Sequence, residues 1–186
     1  MVIGFTGHRP ERIISNAELL NTTKKVLHGL VYSTSGEIDS SVRFVLGGSP
    51  GFDTIVAETL WSWGINPENI SILVPFRGFE RYATKDDRAL KRALSINNSL
   101  LLDRVVDLQT EYPETFNASF GVKCNLRNAR IIDRSDLLVS YWDGIKKGGT
   151  YNTIQMAIRK NIRVLNVYNG VEVSENTGKV VLSDKE

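Results

Sequence analysis

Several strand-to-loop junctions in this chain carry residues suited to holding an anion, and the fullest lies in Asp136 to Ala157, DLLVSYWDGIKKGGTYNTIQMA. Leu137 to Tyr141 is a short run, apolar on both faces, as expected of a buried parallel strand. Trp142, Asp143 and Gly144 end it. Gly148, Gly149 and Thr150 then lead into Tyr151 to Arg159, where Ile154, Ala157 and Ile158 have helical spacing. In a strand, glycine loop and helix of this kind the first helical N–H groups and the positive dipole end face the loop, and glycines admit an anion close to the backbone. Phosphate suits that chemistry. The alternative is that the two glycines only make a tight turn.

Two other junctions offer similar chemistry. Val2 to Thr6 reads as a strand running into Gly7, His8, Arg9 and Pro10, which brings two anion donors to a strand's carboxyl end, where ligands gather in open α/β sheets. Arg9 is the stronger candidate, since a lone histidine is more often a structural hydrogen-bonder. Val42 to Leu46 ends in Gly47, Gly48 and Gly51 ahead of Asp53, a second candidate cradle for phosphate or ribose. Asp53 with Thr54 also sits where a helix N-cap belongs, and both roles stay open. Glu58, one turn further along, reads as a solvated surface residue unless the fold turns it inward. Arg77 follows the expected strand Ile70 to Val74, and Arg127 with Asn128 and Asp133 lies on a cationic helical segment leading into the strand at Leu137.

The elements needed to position these residues alternate. Ser15 to Tyr32 is an expected amphipathic helix with Ser15 or Asn16 as N-cap, and Asp53 to Trp63 is a second. Thr84 to Leu94 reads as helical with a break at Ser95 to Asn98, Leu100 to Leu108 as a strand, and Glu111 to Lys123 as a polar loop. That loop's aromatics Tyr112, Phe116 and Phe120 either pin it to the core or face a purine. Asn125 to Arg134 is the cationic helix, Ile162 to Tyr168 the last parallel strand. In the tail, residues 169–186, Val171 to Val173 and Lys179 to Leu182 suggest a small hairpin. The expected fold is a Rossmann-like open, mainly parallel α/β sheet with helices on both faces.

With 186 residues and 41% hydrophobic content, one α/β domain with a full core is expected, spanning residues 1–168. A net charge of +2 gives no global field for wrapping duplex nucleic acid or clinging to a membrane, so binding by charge must be local. The single Cys124 excludes an intrachain disulfide, points to a reducing cytoplasm and reads as a small core residue. No cofactor is called for, and two distant histidines with one cysteine give no metal-ligand cluster. No basic prelude or long apolar run marks a leader or membrane span, so a soluble, unprocessed chain is expected. A homo-oligomer stays open.

The motifs in order, Gly4-Phe5-Thr6-Gly7-His8-Arg9-Pro10, Gly47-Gly48-x-x-Gly51-x-Asp53 before Ala57-Glu58, Pro75-Phe76, Arg127-Asn128 through Asp133, Ser135 and Asp136, and Trp142-Asp143-Gly144 with Gly148-Gly149-Thr150-x-Asn152, resemble the YpsA-like (DUF1273) branch of the SLOG superfamily. That superfamily also holds the DprA (Smf) proteins and the LOG phosphoribohydrolases. The resemblance spans about residues 1 to 168. It implies a nucleotide or nucleotide-derived ligand bound across the strand carboxyl ends, with phosphate on Gly148, Gly149 and Thr150, ribose near Asp53 and Asn152, and Arg9 or Arg77 neutralising charge. LOG enzymes carry a glutamate in the glycine-loop helix that serves cleavage of the base from ribose phosphate. Here Asn152 and Gln155 stand in that turn, and neither can act as a carboxylate does. A binding or sensor module is therefore expected first. An N-glycosidic hydrolase or transferase using Glu58 or Asp133 comes second, and a single-stranded DNA binder like DprA third.

Overall fold

The computed structural model describes residues 1–13, 15–33, 35–99, 105–168 and 171–173. Its centre is one seven-stranded sheet: β1 Val2–Gly7, β2 Arg43–Leu46, β3 Ile70–Val74, β4 Val105–Asp107, β5 Leu137–Tyr141, β6 Arg163–Asn166 and β7 Val171–Val173. The order is β4-β3-β2-β1-β5-β6-β7, with every neighbouring pair parallel except β6 and β7. This is the expected open Rossmann-like α/β sheet.

The apolar runs became strands because both of their faces are covered. Ile3, Phe5, Phe44, Leu46, Ile70, Ile72, Val74, Val139 and Tyr141 point to one side, where α1 Asn16–Val31 and α2 Phe52–Ser62 supply Leu19, Leu27, Val31, Ile55 and Leu60. On the other side Leu138 and Val164 meet Ile132 of α6 Phe120–Asp133 and Ile154 and Ala157 of α7 Gly149–Arg159. The intervening strand positions Val45 and Leu73 pack with Ile131 of α6. Gly4 permits this close approach: a β-carbon there would stand 2.1 Å from Ser135 Oγ, just past the end of α6. Three further helices, α3 Glu80–Ala83, α4 Asp87–Ser99 and α5 Leu108–Glu111, lie between β3 and α6 along the chain.

One expected boundary holds and others move, each for an identifiable reason. Ser15 is the α1 cap, its Oγ accepting from Glu18 N–H at 3.3 Å. The cap of α2 is Gly51, at φ 106°, so Asp53 is already in the first turn and is not the N-cap. Helix α4 passes through the expected break because Asn97 is buried and spends its amide on tertiary partners, Gly48 O at 3.1 Å and Glu80 Oε1 at 2.8 Å, instead of competing for helix backbone. Helix α6 starts at Phe120, five residues before the expected Asn125, because Ser119 Oγ caps Val122 N–H. Only Val105 to Asp107 of the expected strand at Leu100 to Leu108 is described as strand, and residues 100–104 lie outside the described residues. In the tail, Val171–Val173 adds antiparallel to β6, while the second hairpin arm falls outside the described residues. Among the described residues no helix is long and apolar enough to cross a membrane.

Candidate functional site

Strand order reverses its direction of growth between β1 and β5, and in open α/β sheets that reversal leaves a crevice at the carboxyl ends. A cavity of about 510 Å³ occupies it, within the range of small-molecule sites. Its walls come from four places: the end of β1 with the following 3-10 turn Pro10–Arg12, the β2–α2 loop, the first half of α6 and the start of α7.

The α7 wall is the phosphate-like feature. Gly148 at φ 89° takes the N-cap position with no side-chain cap, and the first backbone bond of the helix runs from Asn152 N–H to Gly148 O at 3.0 Å. Helix geometry then leaves the N–H groups of Gly149, Thr150 and Tyr151 over, with the dipole's positive end behind them. A β-carbon on Gly149 would meet only Asn128 Nδ2, at 4.0 Å, so protein packing does not require glycine there. Gly148, Gly149, Thr150 and Asn152 all line the cavity.

His8 ties this loop down at both ends. Its Nε2 accepts from Asp143 N–H at 3.2 Å and lies 3.1 Å from Asp143 Oδ1, while Nδ1 lies 3.4 Å from Thr150 Oγ1. Burial lowers the imidazole pKa below its ordinary 6.5, against the pull of Asp143. Burial would raise the Asp143 carboxyl, but the Ile145 N–H bond, the Arg12 guanidinium and His8 together hold it below the ordinary carboxylate range. Asp143 is thus an anchor beside the cavity and not part of its wall. Trp142 is also structural: it is buried, donates from Nε1 to Ile145 O at 2.9 Å and stacks on Tyr151 at 5.9 Å.

Apart from α7, the glycines after β2 make room for side chains that face the cavity. Arg127, only 6% exposed, donates to Gly47 O, to Ser49 Oγ at 3.3 Å and to Asn128 Oδ1 at 2.8 Å, with its guanidinium over the Phe79 ring. Asp53 accepts from Ser49 N–H at 3.1 Å. Burial pushes the Asp53 carboxyl up and the Arg127 guanidinium down, each partly restored by the other's charge. Gly51 leaves no room for a side chain, since a β-carbon would stand 2.6 Å from His8 O, and one on Gly48 would crowd Ile72 and Asn97. Gly47, Gly48 and Gly51 therefore build the wall without lining the cavity, whereas Asp53, Arg127 and Asn128 line it.

At the mouth, Thr6, Gly7 and Arg9 line the cavity with His8. Arg9 donates to Ala83 O, lies 5.8 Å from the Phe120 ring centroid and has no carboxylate partner among the described residues. Glu11, Arg12, Ser49, Phe120, Cys124 and Asn125 line it too, though motif spacing did not single them out as site residues. Burial would raise the Glu11 carboxyl, but its hydrogen bond from Thr84 Oγ1 at 2.6 Å, backbone N–H groups and Arg9 hold it below the ordinary value. Cys124 faces the cavity and is half-buried, in place of the core role expected, and burial raises its thiol pKa against Arg127 and Arg9. The usable signal for Glu11 and Arg12 was Pro10, which starts the 3-10 turn that carries both.

Three expected site residues stand apart from the cavity. Glu58 pairs with Arg92 of α4, and Asp133 pairs with Arg130 and Lys160. Arg77 borders a separate depression with Phe76, Asp107 and Gln109. Among the described residues no cluster of three His, Cys, Asp or Glu side chains converges to hold a metal ion.

The molecule is a Rossmann-like α/β protein with its main crevice at the β1/β5 switch point. No protein-family model matches the chain, and no curated protein matches it. Solved structures of similar fold include DNA processing protein A from Helicobacter pylori, reported for its single-stranded DNA binding mode, at 17% identity and a TM-score of 0.56, covering 89% of this chain and 64% of that one. The chain thus spans somewhat under two thirds of that relative. TM1055, a structural-genomics target, aligns at 14% identity and a TM-score of 0.51, covering 88% of this chain and 72% of the other. At such identities the likeness carries the fold alone, an open Rossmann-like α/β architecture.

Proposed function

We propose that this protein, through residues 1–168, binds a nucleotide or nucleotide-derived small molecule as a ligand-binding or sensor module of the YpsA-like kind. The observation that carries the reading is the uncapped start of α7, which opens, at a glycine that packing does not demand, into the 510 Å³ cavity also lined by Arg9, which forms no ion pair with a carboxylate among the described residues. Phosphate meets the α7 N–H groups, Arg9 offsets its charge, and Asn152 and Asp53 stand within the same walls for ribose hydroxyls. The test is calorimetry with a panel of nucleoside mono- and diphosphates on the wild type and on Gly149→Val. Binding lost in a folded Gly149→Val protein is the expected result, and unchanged affinity counts decisively against the phosphate site.

A second reading, N-glycosidic cleavage of the nucleotide, is favoured by one observation. Glu11 places a carboxylate held in its ionised form on the cavity wall, where Glu58 and Asp133 are absent. Its test is chromatography for free base, repeated with Glu11→Gln. The likeness to DNA processing protein A raises single-stranded DNA as a further ligand. Near-neutral charge opposes this, and an affinity for oligonucleotides falling steeply with salt would mark it.

A further inference from the structure

An aromatic cluster adjoins the mouth of the cavity, built from three parts of the chain far apart in sequence. Phe76 follows β3, Tyr82 lies on α3, and Phe120 opens α6. Their ring centroids lie 5.7 Å (Phe76 to Tyr82), 6.1 Å (Phe76 to Phe120) and 6.4 Å (Tyr82 to Phe120) apart. A cluster this size normally buries itself, yet Tyr82 is 71% exposed and Phe120 is only partly covered. Cations stand over its rings: Arg9 over Phe120, and Lys123 Nζ 5.2 Å from the Phe76 centroid.

The cluster is continuous with the site, because Phe120 and Arg9 both line the cavity and Arg9 lies over the Phe120 ring. A ligand with phosphate at the start of α7 and a planar, electron-rich ring at its other end would use both features. An aromatic base stacks on ring faces and on guanidinium planes with little regard to its identity. A sugar or an aliphatic chain can lie against a ring face but has no π system to set against the Arg9 guanidinium as well.

We infer that Phe120, walled by Tyr82 and Phe76, is the subsite for the nucleobase of a mononucleotide whose phosphate lies on α7. This rests on the phosphate reading above and adds that the ligand must carry an aromatic base. Selectivity among bases is low, since stacking supplies the contact. The alternative occupant of an exposed aromatic patch is a second copy of this chain, and the test separates the two.

Calorimetry with adenosine 5′-monophosphate, cytidine 5′-monophosphate and ribose 5-phosphate is run on the wild type, Phe120→Leu, Tyr82→Ala and Gly149→Val, with folding checked by circular dichroism. Phe120→Leu and Tyr82→Ala are expected to weaken both nucleotides by about 5-fold to 100-fold, from the usual worth of one stacked base. Ribose 5-phosphate affinity stays as in the wild type, and Gly149→Val weakens all three ligands. Nucleotide affinity indifferent to both ring substitutions, with Gly149→Val still disruptive, overturns the base subsite and leaves the phosphate site standing. Equal weakening of ribose 5-phosphate by the ring substitutions also overturns it. Dimerisation in sedimentation runs that Tyr82→Ala abolishes, with nucleotide affinity unchanged, assigns the patch to self-association. No binding of any of the three ligands by the wild type removes both proposals.

Discussion

The guanidinium of Arg127 fills the space that a side chain on Gly47 would need: a β-carbon there would lie 1.9 Å from Nη1 and 2.9 Å from Asp53 Oδ2. Arg127 could move only by giving up its bonds to Gly47 O, Ser49 Oγ and Asn128 Oδ1 and its place over the Phe79 ring. Gly47→Ala is therefore expected to destabilise the fold by about 1–3 kcal/mol, the usual range for overpacking a filled interior. Urea denaturation midpoints measure this. A neutral result would mean that the wall relaxes freely and that Arg127 is not fixed.

The two carboxylates that motif position first suggested for catalysis give a contrasting expectation. Glu58 and Asp133 sit in partly exposed ion pairs with Arg92, Arg130 and Lys160. Exposed pairs contribute roughly 0–1 kcal/mol. Glu58→Gln and Asp133→Asn should each shift stability by no more than about 1 kcal/mol and leave nucleotide affinity as in the wild type. A tenfold loss of affinity in either variant would show that the residue reaches the ligand.

Arg9 should matter to binding and little to the fold. Its side chain has a carbonyl partner, Ala83 O, and no carboxylate partner among the described residues. Arg9→Gln keeps a donor and removes the charge, so anion affinity should fall about tenfold or more, the scale of a charge-assisted hydrogen bond. The salt dependence of binding should flatten with it, which titrations at two ionic strengths resolve.

The pH dependence of stability should carry the signature of His8. Its pKa is lowered on folding, so below the ordinary 6.5 the unfolded chain takes up the proton more readily than the folded one. Stability then falls as pH drops below 6.5 toward the folded-state value, and is fully present above 6.5. Between pH 7.5 and 5.5 the wild type should lose more stability than His8→Gln in matched denaturant melts. Asp143, lowered on folding, acts in a separate window: its contribution is present above its ordinary 3.8 and is lost as pH falls below it.

Strand positions and the glycine loops were legible because a buried parallel strand leaves an apolar run and a strand-to-helix turn leaves glycine, both local marks. Which way a side chain points past those marks was not. Trp142 and Asp143 belong to the most recognisable motif, yet they brace the loop, because their partners Ile145, Asn166, Arg12 and His8 include residues as far as 135 positions away. Phe120 reads as a loop aromatic until Ser119 caps a helix there and turns the ring to the cavity. The break expected at Asn97 failed for the same reason, since its helix-competing amide is engaged by Gly48 and Glu80.

The position of β1 between β2 and β5 has a consequence for how the molecule assembles. Val2 N–H bonds to Asp136, and β1 pairs along its length with residues from the last third of the chain. β1 can meet β2 across the crossover that carries α1, a far shorter span of chain than the one to β5, and its other edge stays open until Leu137 to Tyr141 arrives across that longer loop. Sequence separation therefore predicts that His8 and Arg9 are in place before Thr150 reaches them, with the crevice among the last features to form. A ligand that grips Arg9 and the start of α7 together would bridge the seam where the two halves join last, so its binding would oppose the parting of that seam during unfolding.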